Sequence, residues 1–253
     1  MMFFVEQFQF DCKREILRNL PFLFFSLLMP AGFYVLFTKI MVSGSAKAMQ
    51  QFAGTYMGNM IVYSVIISAF FGMSALLQRD RRSGYLLRLQ QTPAGVRFYY
   101  LSIAACFMLM TILAISIMFG LAIGLNHVSL NFWQMSLILM VALLGEIPMF
   151  IIGVMISHVQ REETLSVISN LLTFPVAVVS GLWWPLSMLP TWLQTIGKLL
   201  PTYHLSRLLN DIVAIRPLAG YDWWVITSWI LIALVLALIQ NRISRSGQQG
   251  VTN

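Results

Sequence analysis

Three histidines and nine carboxylates are the side chains of this 253-residue chain that could hold a metal or move a proton. Their spacing supports neither use. His127, His158 and His204 are isolated from one another, each expected in its own loop, and no His-Glu-x-x-His pair occurs. No metal site is therefore expected. No Gly-x-Ser-x-Gly elbow offers a nucleophile. The Gly197-Lys198 pair lacks the upstream glycine of a phosphate loop, so the chain is not expected to bind ATP itself. Cys12 lies in a charged N-terminal segment and Cys106 in an apolar run, a spacing that does not suggest a disulfide. No catalytic residue is assigned, and the chain is not expected to be an enzyme.

Other polar residues lie inside apolar runs. Glu146 stands two residues before Pro148. An acidic group inside hydrocarbon costs a few kcal/mol (about 2.5–3.5 on insertion scales). It could bond backbone freed by a proline kink, or line a substrate path or gate. Ser166, Ser169, Asn170, Thr173 and Ser180 recur on one helical face. Thr55, Asn59 and Tyr63 form one row of another helix, and Ser64, Ser68 and Gly72 a second row. Such stripes serve helix packing or line a conduit, and both uses suit a homodimer whose seam is the path.

The elements that must position these residues follow from composition. Hydrophobic residues make up 58% of the chain and charged residues 10%, and the mean hydropathy is +0.79. A soluble domain is roughly 25% charged. A chain of this size could not hide so much apolar surface from water. The composition excludes a disordered chain, a disulfide-rich secreted domain and a collagen-like fibre, and leaves an all-α integral membrane protein.

Crossing about 30 Å of hydrocarbon takes roughly 20 helical residues. Six spans are expected, at Leu20–Val42, Gly54–Leu77, Tyr99–Leu125, Phe132–Ser157, Thr164–Trp183 and Trp223–Gln240, within one domain of residues 1–253. Helix is required because a backbone in lipid must satisfy its own hydrogen bonds. One alternate set of segments holds Lys13, Arg14, Arg18, Arg79, Arg81, Arg82, Arg88, Arg97, Arg161, Arg242 and Arg245. The other holds Lys39, Lys47, Lys198, Arg207 and Arg216. The richer set should be cytoplasmic, which puts both termini in the cytoplasm of a multi-pass cell-membrane protein. The net charge of +7 is read as this topology signal, so no nucleic-acid partner is expected. The first apolar run is too long for a signal-peptide core and follows Glu6, Asp11 and Glu15, so it is expected to be retained.

Three segments do not read as spans. Residues 1–19 place Phe4, Val5, Phe8, Cys12 and Ile16 on one face and Phe3, Phe10 and Leu17 on a second. That pattern fits an interfacial helix on the lipid bilayer, with or without a protein on its other side. Residues 78–98 open with Arg79, Asp80, Arg81 and Arg82. Gly84 follows, then Leu86, Leu87 and Leu89, and the break at Thr92-Pro93. The charges could be a topology signal, or the stretch could be a cytoplasmic knob docking into a partner's groove. Residues 184–222 are apolar but broken by Pro185, Pro190, Pro201 and Pro217. Pieces so short read as a re-entrant outer hairpin, either a plug or a gate, in which Trp183, Trp184, Pro185, Leu189 and Pro190 would form the outer closure.

These stretches carry a family likeness. Arg79–Pro93, R-D-R-R-S-G-Y-L-L-R-L-Q-Q-T-P, resembles the coupling-helix region of ABC type-2 exporter permeases. Gln160–Pro190, where R-E-E precedes a run ending S-G-L-W-W-P-L-S-M-L-P, is similar to the family's signature at the end of the fifth span. Leu193–Leu208 contains L-L-P-T-Y-H and looks more like the drug, peptide or lipid exporters than the polysaccharide exporters. The likeness covers the whole topology.

The resemblance implies a homodimer of permease chains with separate ABC ATPase subunits. ATP and Mg would sit on those partners, and this chain would hold no cofactor. Arg79–Pro93 would dock the ATPase and carry its motion inward, aided by the N-terminal helix and residues 160–163. Asn59, Tyr63, Glu146, Ser166, Ser169, Asn170 and Thr173 are the candidates for path or dimer seam. The expected cargo is an amphipathic small molecule, peptide or lipid. An ATP-independent channel or carrier, or a permease-like sensor, is the alternative. No internal repeat of the kind common in carriers is found.

Overall fold

An apolar run can shed its backbone polarity only by coiling, and this chain coils almost throughout. The computed structural model describes residues 2–14, 20–41, 44–92 and 95–249, and no strand occurs among them. Helix α1, Met2–Cys12, lies along the later helix Gly95–Asn126. Residues 20–41 form a rod, α2, in which π turns at Phe24–Leu28 and Leu36–Met41 interrupt α-helix. Pro30, which has no N–H to donate, follows the first π turn.

Helix α3, Ala46–Arg82, is the central post. Ser45 caps it, its Oγ accepting from the Ala48 N–H. Of its most apolar 18 residues 83% are buried, and a π turn at Ser68–Met73 interrupts it. The short α4, Tyr85–Gln90, follows at once. Gly84, at φ 68°, makes that reversal, in a conformation that glycine adopts without strain.

Then come α5, Gly95–Asn126, and α6, Phe132–Ile156, the latter opened by a reciprocal Asn131–Gln134 capping box. α6 breaks at Glu146, where Pro148 starts its second half. That half packs on the π turn of α3 and on the last helix. A Cβ at Gly153 would lie 2.6 Å from the Ala69 carbonyl oxygen, so glycine is what allows the approach.

Helix α7, Glu162–Val179, ends at Ser180 and Gly181. A single 3₁₀ turn, Leu186–Met188, leads to α8, Thr191–Gly197, and α9, Pro201–Val213. A Cβ at Gly197 would overlap the Val179 carbonyl oxygen, so glycine seats α8 against α7. Helix α10, Gly220–Gln249, closes the chain.

Among the described residues five helices are long and apolar enough to cross a membrane: α3, α5, α6, α7 and α10 over Gly220–Gln240. At the place of the expected first span, the apolar part of α2, Phe24–Ile40, is shorter than these five. The chain is thus a multi-pass, all-helical membrane protein. In the apolar windows of α7 and α10 only 22% and 17% of residues are buried. These two helices stand at the outside of the bundle, α7 against α3 and α10 against α9 and the second half of α6.

Two expectations are corrected. Cys12 and Cys106 are paired in a disulfide, with Cα atoms 5.5 Å apart. Packing of α1 along α5 brings together cysteines that are 94 residues apart. His204 is not in a loop; it lies buried in α9.

Candidate coupling surface and translocation cleft

The C-terminal end of α3 points its charges inward and outward by turns. Asp80 is 4% exposed. It accepts from Arg14 Nη2 at 2.7 Å and Nη1 at 3.3 Å, and from the Tyr99 hydroxyl at 2.6 Å. Arg14 also lies 5.5 Å and 5.7 Å above the rings of Phe10 and Tyr85. Beside this pair, the fully buried Asp11 accepts from Ser102 Oγ at 2.7 Å and Gln7 Nε2 at 2.8 Å. Burial pushes the Asp11 carboxyl above the usual range, against the pull of those two hydrogen bonds and of Arg14.

The neighbours of Asp80 staple α3 to the turn after α6. Gln78 Nε2 donates to the Val159 and Arg161 carbonyls at 2.7 and 3.1 Å. Arg81 donates to Ser157 Oγ at 2.7 Å and the Tyr100 hydroxyl at 3.2 Å. Burial, then Arg81, holds the nearby His158 below its ordinary pKa. Arg82 pairs with Glu162 at 2.5 Å, on the surface.

Thus Asp80 and Arg81, read as docking residues, stand inside a joint among α1, α3, α5 and the α6–α7 turn. Arg79, Arg82 and Thr92 are at the surface, and Gly84 is half-buried. In α4 Leu86 is buried, Leu89 is half-buried and Leu87 is 64% exposed. Pro93 lies outside the described residues. The exposed knuckle that remains is Leu87 with Arg88 and Gln90 around it.

A cleft of about 570 Å³ runs between α2, α3 and α7. Gln78, Arg79 and Glu162 line it beside the joint, and Phe25, Tyr63, Ser166, Asn170 and Phe174 line it further along. Ser169 also lines it, but its Oγ donates at 2.5 Å to the Phe70 carbonyl, in the π turn of α3. Thr173 is fully buried and its hydroxyl has no partner. Ser166 and Asn170 are exposed on α7, at the open edge of the cleft.

The cleft stops at rings. Tyr63 lies 5.4 Å from Trp183 and 6.2 Å from Phe33, and Trp183 lies 5.5 Å from Phe33 and 5.9 Å from Phe174. Beyond Trp183 lies a vestibule of about 960 Å³, lined by α3, α9 and the segment after α7. Tyr63 faces the cleft and Trp183 the vestibule, so two touching rings separate the cavities. Trp184 and Pro185 line the vestibule with them. The Leu189 carbonyl accepts from Gln194 at 2.8 Å, and Pro190 opens α8.

Asn59 holds this end together rather than standing open. It donates to the Gly181 and Leu182 carbonyls at 3.2 and 3.3 Å, and accepts from Ser206 Oγ at 2.7 Å and Asn210 Nδ2 at 3.0 Å. Glu146 lines neither cavity. It is fully buried and accepts from Thr111 Oγ1 of α5 at 2.6 Å. Sequence reasoning missed a second buried pair: His204 Nδ1 lies 2.6 Å from Asp222 Oδ1, and His204 Nε2 lies 2.8 Å from the Lys198 carbonyl. The signal was an aspartate opening an apolar run, with a histidine one short helix earlier.

Long apolar helices around a partly polar cleft, with a basic knuckle at one end, define a polytopic membrane permease. Residues 6–213 match the ABC-2 type transporter family, and the chain belongs to it. It is 25% identical over 238 residues to the "Putative transport permease YvfS" of Bacillus subtilis (strain 168), covering 94% of this chain and 95% of that one. No solved structure matches. Family membership makes the chain a transport permease rather than an enzyme, and implies an ABC ATPase partner in general.

Proposed function

We propose that the chain is the membrane subunit of an ATP-driven exporter, working as a homodimer with two separate ATPase subunits. It would export an amphipathic small molecule, peptide or lipid. ATP and Mg would bind only the partners. The carrying observation is a single line along α3: knuckle, ion-paired joint, cleft, ring barrier, vestibule.

The joint end faces the cytoplasm in this reading, with both termini. Its arginines suit the positive-inside rule. α2 serves as the first of six spans, α1 lies at the interface, and α8 and α9 form the re-entrant outer hairpin. The exposed polar edge of α7, Ser166 and Asn170, is ill suited to lipid and well suited to a second copy. That copy would close the cleft into a path, with the rings of Tyr63, Trp183 and Phe174 as its outer gate.

Leu87, on the surface of α4, would enter a groove of the ATPase. The double variant Leu87→Asp, Arg88→Glu should abolish copurification with the ATPase subunit and leave thermal stability within about 0.5 kcal/mol, as for surface changes generally. Undiminished copurification would remove the knuckle from the interface. For the seam, Ser166→Cys or Asn170→Cys should crosslink two copies in membranes, and failure of both would place the seam elsewhere.

A further inference from the structure

The vestibule supplies hydrogen-bond donors in excess of acceptors. Arg207 and Arg216 line it, with side chains 45% and 70% exposed. Each is loosely engaged. Arg207 Nη1 lies 3.6 Å from Asp222 Oδ1, which already faces His204, and Arg216 Nη1 lies 3.8 Å from Asp211 Oδ1. Two further donors, the Tyr56 hydroxyl and the Trp183 indole N–H, belong to residues lining the vestibule and are buried without a partner. One acceptor there, Asn210 Oδ1, is also without a partner.

The backbone brings Arg216 to this place under strain. α9 ends with the Arg216 N–H donating to the Asp211 carbonyl at 2.8 Å and the Ile215 N–H to the Ile212 carbonyl at 3.2 Å. Ile215 takes the left-handed position of that turn at φ 54°, where glycine would be free of strain. The chain accepts a β-branched residue there and still turns Arg216 back over the cavity.

We infer that the vestibule binds the anionic head group, phosphate or carboxylate, of an amphiphile. The lining itself holds two guanidinium groups and one carboxylate, Asp211; Asp222 stands behind Arg207, outside the lining, and is shared with His204. The planar forks of the two guanidinium groups suit paired acceptor oxygens. Tyr56 and Trp183 donate deeper in, and Asn210 Oδ1 accepts from a protonated phosphate oxygen. The tail lies on Trp184 and Phe52, and about 960 Å³ is room for a drug-sized molecule. As a statement of cargo class this rests on the transport reading. Binding needs neither ATP nor a partner, so the two readings fail separately.

The test uses the full-length chain in nanodiscs of zwitterionic lipid, titrated calorimetrically with decyl phosphate, decyltrimethylammonium and inorganic phosphate. Decyl phosphate should bind roughly tenfold or more tightly than the cation, the difference expected of one charge-assisted contact. Inorganic phosphate should bind more weakly than decyl phosphate. Arg216→Gln, at an exposed position that folding tolerates, should erase most of the preference, and Arg207→Gln with Arg216→Gln all of it. Equal binding of the two amphiphiles, or unchanged decyl phosphate binding in both variants, overturns the inference. Inorganic phosphate binding as tightly as decyl phosphate overturns its amphiphile part. A second titration in nanodiscs containing phosphatidylglycerol separates the sources. Competition there identifies a lipid head group as occupant, and its absence identifies a soluble anion, both as the shared chemistry requires. A transport assay without ATP dependence would sink the exporter reading and leave these results standing.

Discussion

The two ends of α3 are built from different bonds. At the end bearing α1 and α4, charges hold the helices: Arg14 to Asp80, Tyr99 to Asp80, Arg81 to Ser157, Arg82 to Glu162. At the vestibule end, amides and rings hold α3: Asn59 to two carbonyls and two side chains, and Tyr63 against Trp183; Gln134 reaches the Ile212 and Val213 carbonyls, and the titratable pair there, His204 with Asp222, joins α9 to α10 rather than to α3. Charge-assisted bonds are shorter and stronger than neutral ones. The first end is therefore the stiffer, fit to transmit a push. The second can part and re-form, since neutral amides and ring edges lose less when wetted.

Asp80→Ala should have the largest effect. It takes from Arg14 its nearest carboxylate and from the Tyr99 hydroxyl its acceptor, and breaking a buried ion pair from one side costs about 3–5 kcal/mol. Thermal unfolding in detergent should fall sharply, and an unchanged midpoint would mean that the joint carries no load. Asn59→Ala should come next. It removes neutral hydrogen bonds and leaves carbonyls unpaired, at about 1–3 kcal/mol. Hydrogen exchange should rise over residues 180–213 and stay unchanged at residues 5–14 and 78–82. A rise at both ends would show that the ends are not separable.

Asp11 gives the smallest and most specific prediction. Its folded-state pKa is raised, chiefly by burial. The folded chain therefore holds a proton that the unfolded chain has released, and the stabilisation is present at low pH and lost as pH rises through the folded value. As pH rises from the ordinary aspartate value of about 3.8, wild type should lose more thermal stability than Asp11→Asn does. Parallel pH profiles would show that Asp11 is not the group responsible.

Hydropathy made the long helices readable because lipid imposes its constraint along the chain, one helix at a time. Gly84, Leu87 and the proline-broken run from Pro185 to Pro217 were legible for the same reason: each is a local signal. What resisted reading is pairing across the sequence. Asp80 looks like a surface charge among arginines until α1 brings Arg14 to it. Cys12 and Cys106 look unrelated until α1 lies on α5. Ser169 reads as one of a polar face of α7 with Ser166 and Asn170, but it is buried while they are exposed, and its hydroxyl donates to the Phe70 carbonyl in a π turn that no hydropathy pattern announces. Glu146 sits at the helix break as expected, yet its partner is Thr111 on another helix rather than backbone at the break.

The most direct test of the proposed role is solute flux in liposomes. A labelled anionic amphiphile is loaded, and the permease is reconstituted either alone or with its ATPase subunit. Flux should be absent with the permease alone and should appear with the partner only when ATP is supplied. Sustained flux from the permease alone would contradict a membrane subunit driven from its ion-paired end.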